Sequence, residues 1–283
     1  MPERDTQWSH AGVRLTDVVY AALPGYRPLH LDLYRATNAP APQPLVIFIH
    51  GGAWAFANPR AGAAFIDFTT ILANLAERGY VVASVEYRFS GEASFPAQID
   101  DVATAVRFLR SNAARLGIDG TKVAMWGMSA GAYLAAMQGM NCMAGTCVQG
   151  WVGWFGVYDF TPDINADPEL ARLLGCAPSG CTMAVLESLS PIHFADAKDP
   201  PALLVHGSLD EPEESQRLVE KLHSVGAPVE FLLIPDVSHG FVGSTEAATK
   251  AALRQALAAT FEFLDRNLKH GERPAPVAPP PRE

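Results

Sequence analysis

The stretch KVAMWGMSAG, residues 122–131, decides the fold of this chain. Residues 123–126 are a short apolar run that predicts a strand, and a helical pattern starts immediately afterwards at Ala130. Gly127 and Gly131 enclose Ser129 in a G-x-S-x-G pattern, which suits a sharp strand-to-helix turn because larger flanking side chains would clash there. Such a turn holds the serine hydroxyl above the sheet edge, at a helix N-terminus that favours developing negative charge. The stretch therefore predicts an α/β fold with Ser129 as a nucleophile.

The segments on either side alternate between strand and helix patterns. Residues 45–49 form a continuous apolar run, too short for a helix, which is typical of a strand buried on both faces. Residues 13–20 and 29–34 alternate apolar and polar side chains and predict an edge hairpin. Further strands are predicted at 80–85, 148–154, 202–205 and 229–234, and helices at 63–78, 96–116, 130–140, 213–225 and 246–269. This alternation predicts a mostly parallel sheet with helices on both faces.

The domain organisation follows from length and from breaks in the pattern. The chain has 283 residues, enough for one α/β domain, which we place at residues 1–270. Between 156 and 201 several prolines interrupt short helical pieces, and this segment is interpreted as a small inserted cap. Residues 271–283 are dominated by proline and alanine and are predicted to be a disordered tail.

Composition and charge exclude several classes of partner. Hydrophobic residues make up 49% of the chain and charged residues 18%, so a large core is available. The net charge of −9 would repel nucleic acids and anionic membrane surfaces. No apolar run approaches the ~20 residues that span a bilayer. Residues 1–10 are polar and lack the core of a secretory signal, so the protein is either cytoplasmic or has lost a signal peptide.

The four cysteines bear on the compartment. Cys142 and Cys147 share a C-x4-C spacing with Cys176 and Cys181. No histidine lies near either pair, so a metal site is not predicted. Two local disulfides fit the loop-like surroundings better and would place the protein in the periplasm or outside the cell. The alternative is four reduced cysteines in the cytoplasm.

A second glycine motif, HGGAW at residues 50–54, directly follows the strand at 45–49. Its glycine pair lets backbone N–H groups approach a substrate oxygen closely. The N–H groups of Gly52, Ala53 and Ala130 are therefore predicted to form an oxyanion hole. The alternative is an ordinary glycine turn. In either case His50 is expected to support the loop and not to act as a base.

A serine nucleophile needs a base, and the base needs a carboxylate that orients it. Asp210 follows the strand at 202–205, and His239 follows the strand at 229–234. Both lie where the carboxyl ends of parallel strands form binding crevices, and both come after Ser129 in the order that this fold class uses. We therefore predict Asp210 as the acid and His239 as the base, with Glu211 and Asp159 as alternative acids.

Other histidines are weaker candidates for the base. His206 lies at a strand end but precedes the predicted acid, which is the wrong order. His223 lies within a charged helical segment and is expected to be solvated. The pocket itself is expected to be lined by aromatic residues near its mouth, with Trp54 and Phe241 as substrate-binding residues. The alternative for such side chains is packing in the core.

Together these motifs carry a family resemblance. HGGAW, SVEYR, FPAQIDDV, GMSAGAYLAA, SPI, PALLVHGSLDE and SHGF resemble α/β-hydrolase esterases with an HGG-type oxyanion loop. The chain is most similar to the bacterial carboxylesterase and feruloyl-esterase-like branch near the hormone-sensitive lipase group, over residues 13–268. This resemblance implies an α/β-hydrolase fold and the site residues named above. Two departures are Ala53, where the family usually has a third glycine, and a shortened link after Asp210.

The implied activity is hydrolysis of small-molecule carboxylic esters, with short-chain or aromatic acyl groups, through an acyl-enzyme and without a cofactor. The cap is too small for a lipase-type lid over long chains. Amide hydrolysis of the arylformamidase or peptidase type uses the same motifs and remains an alternative. A binding protein without catalysis is disfavoured because the nucleophile and the base are both present. A homodimer is left open.

Overall fold

Nine strands form one sheet in the computed structural model, which describes residues 4–7, 12–37, 39–161, 172–175 and 181–270. The strands are β1 (Arg4–Gln7), β2 (Gly12–Ala21), β3 (Leu29–Ala36), β4 (Gln43–Ile49), β5 (Val81–Val85), β6 (Ile118–Met128), β7 (Gly150–Trp154), β8 (Ala202–Gly207) and β9 (Val229–Ile234). Their order across the sheet is β1-β2-β3-β5-β4-β6-β7-β8-β9.

The pairing is parallel from β5 through β4 to β9 and antiparallel from β1 to β5. This confirms the predicted α/β-hydrolase fold. The predicted hairpin is formed by β2 and β3, but the edge strand beside it is β1. The sequence did not predict β1, because the polar segment RDTQ has no apolar alternation to mark it. The sheet thus has a parallel central part, whose strand ends point the same way.

Helices cover both faces of the sheet. They are α1 (Phe68–Glu77), α2 (Ala97–Ser111), α3 (Ala113–Leu116), α4 (Ala130–Met140), α5 (Met183–Leu189), α6 (Pro212–Val225) and α7 (Glu246–Leu264), with short 3₁₀ turns at Pro191–Phe194 and His239–Phe241. Helix α1 begins later than the predicted residue 63, because the Asp67 side chain caps it by accepting from the Thr70 N–H. The predicted helix 96–116 is divided into α2 and α3 at Asn112.

Strand β4 shows why the central strands are continuous apolar runs. Residues 45–49 are all fully buried, and their side chains alternate between two cores. Leu45, Ile47 and Ile49 face the core beneath α2, α4 and α6, whereas Val46 and Phe48 face the core beneath α1 and α7. A strand with a core on each side needs apolar residues at every position.

A buried ion cluster fixes the loop that follows β4. Asp32 on β3 is 1% exposed and accepts hydrogen bonds from Arg60 Nε (2.7 Å) and Arg14 Nη2 (2.8 Å). Burial alone would raise the pKa of Asp32, but these guanidinium hydrogen bonds outweigh it and lower the pKa. The Ser84 hydroxyl also donates to the Pro59 carbonyl. The loop between β4 and α1 is thus tied to the sheet at residues 59 and 60.

The cysteine prediction is confirmed for one pair. Cys142 and Cys147 form a disulfide. Cys181 is disulfide-bonded as well, whereas Cys176 lies outside the described residues.

The predicted cap at 156–201 is described in part, and its described residues include α5 and the turn at Pro191–Phe194. The predicted tail at 271–283 also lies outside the described residues, so the proposed domain boundaries stay a prediction. Among the helices described, none has the length and apolarity required to cross a membrane.

Candidate active site

The candidate site lies where the central strands end. Ser129 follows β6, Asp210 lies on the loop after β8, and His239 lies beyond β9. Strands β6 to β9 are parallel neighbours, so their carboxyl ends share one edge of the sheet. Three residues separated by up to 110 positions along the chain meet at this edge.

The turn at Ser129 is strained and tightly enclosed. Ser129 has a φ of +53°, which non-glycine residues rarely adopt. A Cβ atom added at Gly127 would lie 2.0 Å from the Gly131 carbonyl oxygen, and one added at Gly131 would lie 2.1 Å from the Ile49 carbonyl oxygen. The Ser129 N–H donates to the Trp154 carbonyl (2.9 Å). The glycines of the G-x-S-x-G pattern are thus required because the first turn of α4 packs against Gly127 and the end of β4 packs against Gly131.

We expect Gly131→Ala to lower the free energy of unfolding by about 3 kcal/mol, because the added methyl group meets backbone and not a movable side chain. Urea denaturation with an unchanged m value measures the loss. Gly91→Ala is the matched control, since a Cβ atom there meets nothing within 4 Å. Equal stability of the two variants would contradict the steric explanation.

Ser129, His239 and Asp210 form a hydrogen-bonded chain. His239 Nε2 lies 3.1 Å from Ser129 Oγ, and His239 Nδ1 lies 2.8 Å from Asp210 Oδ2. An ionised carboxylate only accepts, so Nδ1 carries the proton and Nε2 is free to accept from the serine hydroxyl. This tautomer is the one that a general base requires.

The electrostatics of Asp210 favour its ionised form. Burial alone would raise the pKa of this carboxyl, but hydrogen bonds from His206 and His239 outweigh burial and hold the pKa well below its usual value. The two alternative acids do not lie beside His239. Asp159 accepts from the N–H and the hydroxyl of Thr161 (2.9 and 2.7 Å), and Glu211 immediately precedes α6. Of these acids, Asp210 is the one that contacts His239.

His206 contacts the predicted acid, although its position before Asp210 in the chain did not favour a role in the site. It is 2% exposed, and its Nε2 lies 3.1 Å from Asp210 Oδ2, the same oxygen that contacts His239. Its Nδ1 lies 2.8 Å from the hydroxyl of Ser215. The signal available in the sequence was a histidine at a strand end, four residues before the acid.

Phe155 supports the imidazole of His239. Its ring lies 4.8 Å from the His239 ring in an edge-to-face arrangement, and its backbone has a φ of +39°. Its N–H donates to the Val205 carbonyl (2.8 Å), which ties it to β8. His239 itself is about half exposed, so this ring contact adds to the hydrogen bond with Asp210 in holding the imidazole in place.

The HGGAW loop passes beside the serine. A Cβ atom at Gly51 would lie 3.1 Å from the Ser129 Cβ atom. Gly52 has a φ of +104°, and its carbonyl accepts from the N–H groups of Ala55 and Phe56. Ala53 also has a positive φ, +49°, so alanine here adopts the left-handed conformation that favours glycine. Ala130 is the first residue of α4, where an N–H has no partner within the helix. The oxyanion role of Gly52, Ala53 and Ala130 stays a prediction.

His50 and Tyr87 brace this loop from below. His50 is buried, its Nδ1 lies 2.7 Å from the Gly51 carbonyl oxygen, and its ring stacks on Tyr87 at 4.5 Å. The Tyr87 hydroxyl donates to the carbonyls of His50 and Gly51 (3.1 and 3.2 Å). Burial lowers the pKa of His50 to about 4, so the ring is neutral at pH 7. His50 supports the loop, as predicted from the sequence, whereas no sequence pattern indicated the contact of Tyr87.

The two predicted substrate-binding residues are both buried. Phe241 packs against Trp154 and Phe155, with ring distances of 5.1 and 4.9 Å, and its contact with substrate stays a prediction. Its side chain fills the core below His239. Trp54 packs edge-to-face on Tyr133 at 5.5 Å and is 5% exposed, and its contact with substrate stays a prediction.

Comparison with known proteins identifies a family. The profile of the BD-FAE family matches residues 31–222. Esterase LipC of Mycobacterium tuberculosis is 31% identical over 234 residues, which are 75% of this chain and 56% of LipC. The probable carboxylic ester hydrolase LipM of the same organism is 30% identical over 83% of this chain and 59% of LipM. The chain thus spans less than two thirds of the length of these curated relatives.

One solved structure resembles the whole described fold. A truncated carbohydrate esterase from gut microbiota superposes with a TM-score of 0.77 at 26% identity, over 93% of this chain and 99% of that chain. The similarity therefore extends over almost the full length of the two chains compared.

Proposed function

The chain belongs to the BD-FAE family of α/β-hydrolase esterases, and we propose that it is a serine carboxylic-ester hydrolase. The observation that carries the proposal is the hydrogen-bonded chain from Ser129 Oγ through His239 to Asp210 Oδ2, with distances of 3.1 and 2.8 Å. The names of its esterase relatives support the same reaction.

The proposed reaction has two acyl-transfer steps. His239 Nε2 takes the Ser129 proton as Ser129 Oγ attacks the ester carbonyl, and the N–H groups of Gly52, Ala53 and Ala130 stabilise the resulting oxyanion. His239 then protonates the leaving alcohol. Water repeats the sequence on the acyl-enzyme and releases the acid, so no cofactor takes part.

We place the substrate among esters of short-chain or aromatic acids. Apolar side chains are exposed on the loops that carry the proposed catalytic residues: Phe56 (64% exposed), Leu209 (65%) and Val242 (47%). Exposed apolar groups of this kind suit an apolar acyl or aryl group. The carbohydrate esterase named above supports an acyl group carried on a sugar as one form of the substrate.

The disulfides support an oxidising compartment. The Cys142–Cys147 bond and the bonded state of Cys181 are typical of periplasmic or secreted proteins, since cytoplasmic thiols are kept reduced. We therefore propose that the protein works outside the cytoplasm.

A fluorophosphonate probe tests the nucleophile. We expect the probe to label the protein at Ser129, identified by peptide mass spectrometry, and prior labelling to abolish hydrolysis. Turnover is then compared across p-nitrophenyl esters of increasing chain length, aryl esters, an aminoacyl anilide and N-formyl-kynurenine. We expect the esters to be preferred. A kcat/KM that is higher for the anilide or for the formamide would replace ester hydrolysis with amide hydrolysis, and labelling at another residue would remove Ser129 from the mechanism.

A further inference from the structure

A second histidine binds the proposed catalytic acid. His206 lies near the end of β8 and is 2% exposed, yet both ring nitrogens have polar partners. Nε2 lies 3.1 Å from Asp210 Oδ2, and Nδ1 lies 2.8 Å from Ser215 Oγ. The two-step reaction proposed above does not use this residue. A buried polar side chain with two directed contacts therefore needs a separate explanation.

The ionised carboxylate of Asp210 determines which ring nitrogen of His206 donates and which accepts. Ionised Asp210 only accepts, so His206 Nε2 must carry a proton and donate it to Oδ2. In the neutral ring, Nδ1 then accepts from the Ser215 hydroxyl. The oxygen Oδ2 thus receives one hydrogen bond from His206 and one from His239, at 3.1 and 2.8 Å.

The two partners of the acid differ in how firmly they are held. Asp210 lies on the loop between β8 and α6, and the side chain of His239 is 56% exposed. By contrast, His206 belongs to β8, and Ser215 is fully buried on the first turns of α6. Helix α6 begins at Pro212, only two residues after the acid. The shortened link after Asp210 therefore brings Ser215 within reach of His206, so a strand and a helix together hold the carboxylate on the loop.

We propose that His206 is a positioning residue, which holds Oδ2 of Asp210 toward His239 and takes up part of its negative charge. The inference rests on the proposed function, because it assigns His206 to the same reaction. Two consequences follow. Without His206 the carboxylate loses its fixed orientation, and its negative charge acts on His239 alone. A more negative neighbour stabilises the imidazolium form of His239, so the acidic limb of the pH profile moves to higher pH.

The other charged groups around Asp210 and His239 are the same in the wild type and in every His206 variant. Glu214 on α6 pairs with Arg217 and accepts from the Tyr158 N–H (3.3 Å), and burial raises its pKa. Glu211 adjoins Asp210 in the chain, and Asp236 lies on the loop that carries His239. Since all of them are present in every variant, a shift of the pH profile reports the Asp210–His239 pair.

The test compares variants of His206 by their kcat/KM against pH with a p-nitrophenyl ester. His206→Phe removes the donor and keeps an aromatic ring. His206→Gln keeps a donor, because its Nε2 is the same number of bonds from Cα as the histidine Nε2. His223→Gln, at an exposed position on α6, controls for the replacement of a histidine by glutamine away from the site.

For His206→Phe we expect kcat to fall ~10- to 100-fold, with KM changed little, because orientation is lost in the reaction and not in binding. The acidic limb of kcat/KM should move to higher pH by about half a unit to one unit. His206→Gln should recover most of the wild-type kcat, and its acidic limb of kcat/KM should lie at the wild-type pH. His223→Gln should match the wild type.

Several outcomes would overturn the inference. One is a kcat and an acidic limb of kcat/KM in His206→Phe that both equal those of the wild type. Another is a lower kcat in His206→Phe with an unmoved acidic limb and no recovery in His206→Gln, which would mean a purely structural role. If His206→Phe fails to fold, Ser215→Ala decides, since loss of the hydroxyl that orients the ring must shift the limb in the same direction, and an unmoved limb rejects the inference. A wild-type protein that hydrolyses no ester would instead reject the proposed function.

Discussion

Ser129→Ala is expected to lower kcat for a p-nitrophenyl ester by roughly 10⁴-fold or more. The variant lacks the atom that would form the acyl-enzyme, and the hydroxyl that lies 3.1 Å from His239 Nε2 is gone. Any remaining turnover would come from the oxyanion donors and from substrate binding, which act on attack by water. Initial rates and fluorophosphonate labelling, measured on the same preparation, check the prediction.

The fold of this variant should be intact. Alanine has the Cβ atom that serine has, so the strained φ of +53° and the glycine contacts around it are unchanged. The thermal midpoint should therefore stay close to that of the wild type. Ser224→Ala is the matched control, because Ser224 is an exposed serine at the end of α6. Near-wild-type turnover in Ser129→Ala, with the fold intact, would show that the proposed nucleophile is wrong.

Asp210→Asn is expected to lower kcat by about 10⁴-fold while KM changes much less. An asparagine amide that donates toward His239 Nδ1 holds the imidazole in the tautomer with the proton on Nε2, which cannot accept from Ser129. The loss of the negative charge also destabilises the imidazolium that forms in the reaction. Whatever activity remains should therefore show its acidic limb at lower pH.

Kinetics at several pH values test this prediction, with the two alternative acids as controls. Glu211→Gln and Asp159→Asn should each keep kcat within a few-fold of the wild type, because neither carboxylate contacts His239 in the structure. A larger loss in Glu211→Gln than in Asp210→Asn would transfer the role of the acid to Glu211. The direction of the limb separates this variant from His206→Phe, in which the limb moves to higher pH.

Local sequence motifs made much of the fold and of the candidate active site predictable. The elbow at Ser129 depends on contacts that only glycine permits, and the chain order of serine, acid and histidine follows from the order of the strands. The central strands were recognisable because a segment buried on both faces is a continuous apolar run, as residues 45–49 of β4 are. In contrast, β1 was missed, and the start of α1 was set by the Asp67 cap, against a helical pattern that begins earlier.

What the amino-acid sequence determined by itself was the fold class, the serine turn and the candidate acid and base, because short-range sterics and periodicity encode them. Only the tertiary structure decided that Phe241 is a core residue, that Tyr87 braces the HGGAW loop, and that His206 shares the acid with His239. These roles depend on which side chains meet after separate loops and strands pack together. Residue type and spacing cannot specify such contacts, since histidine and phenylalanine occur both in hydrophobic cores and in active sites.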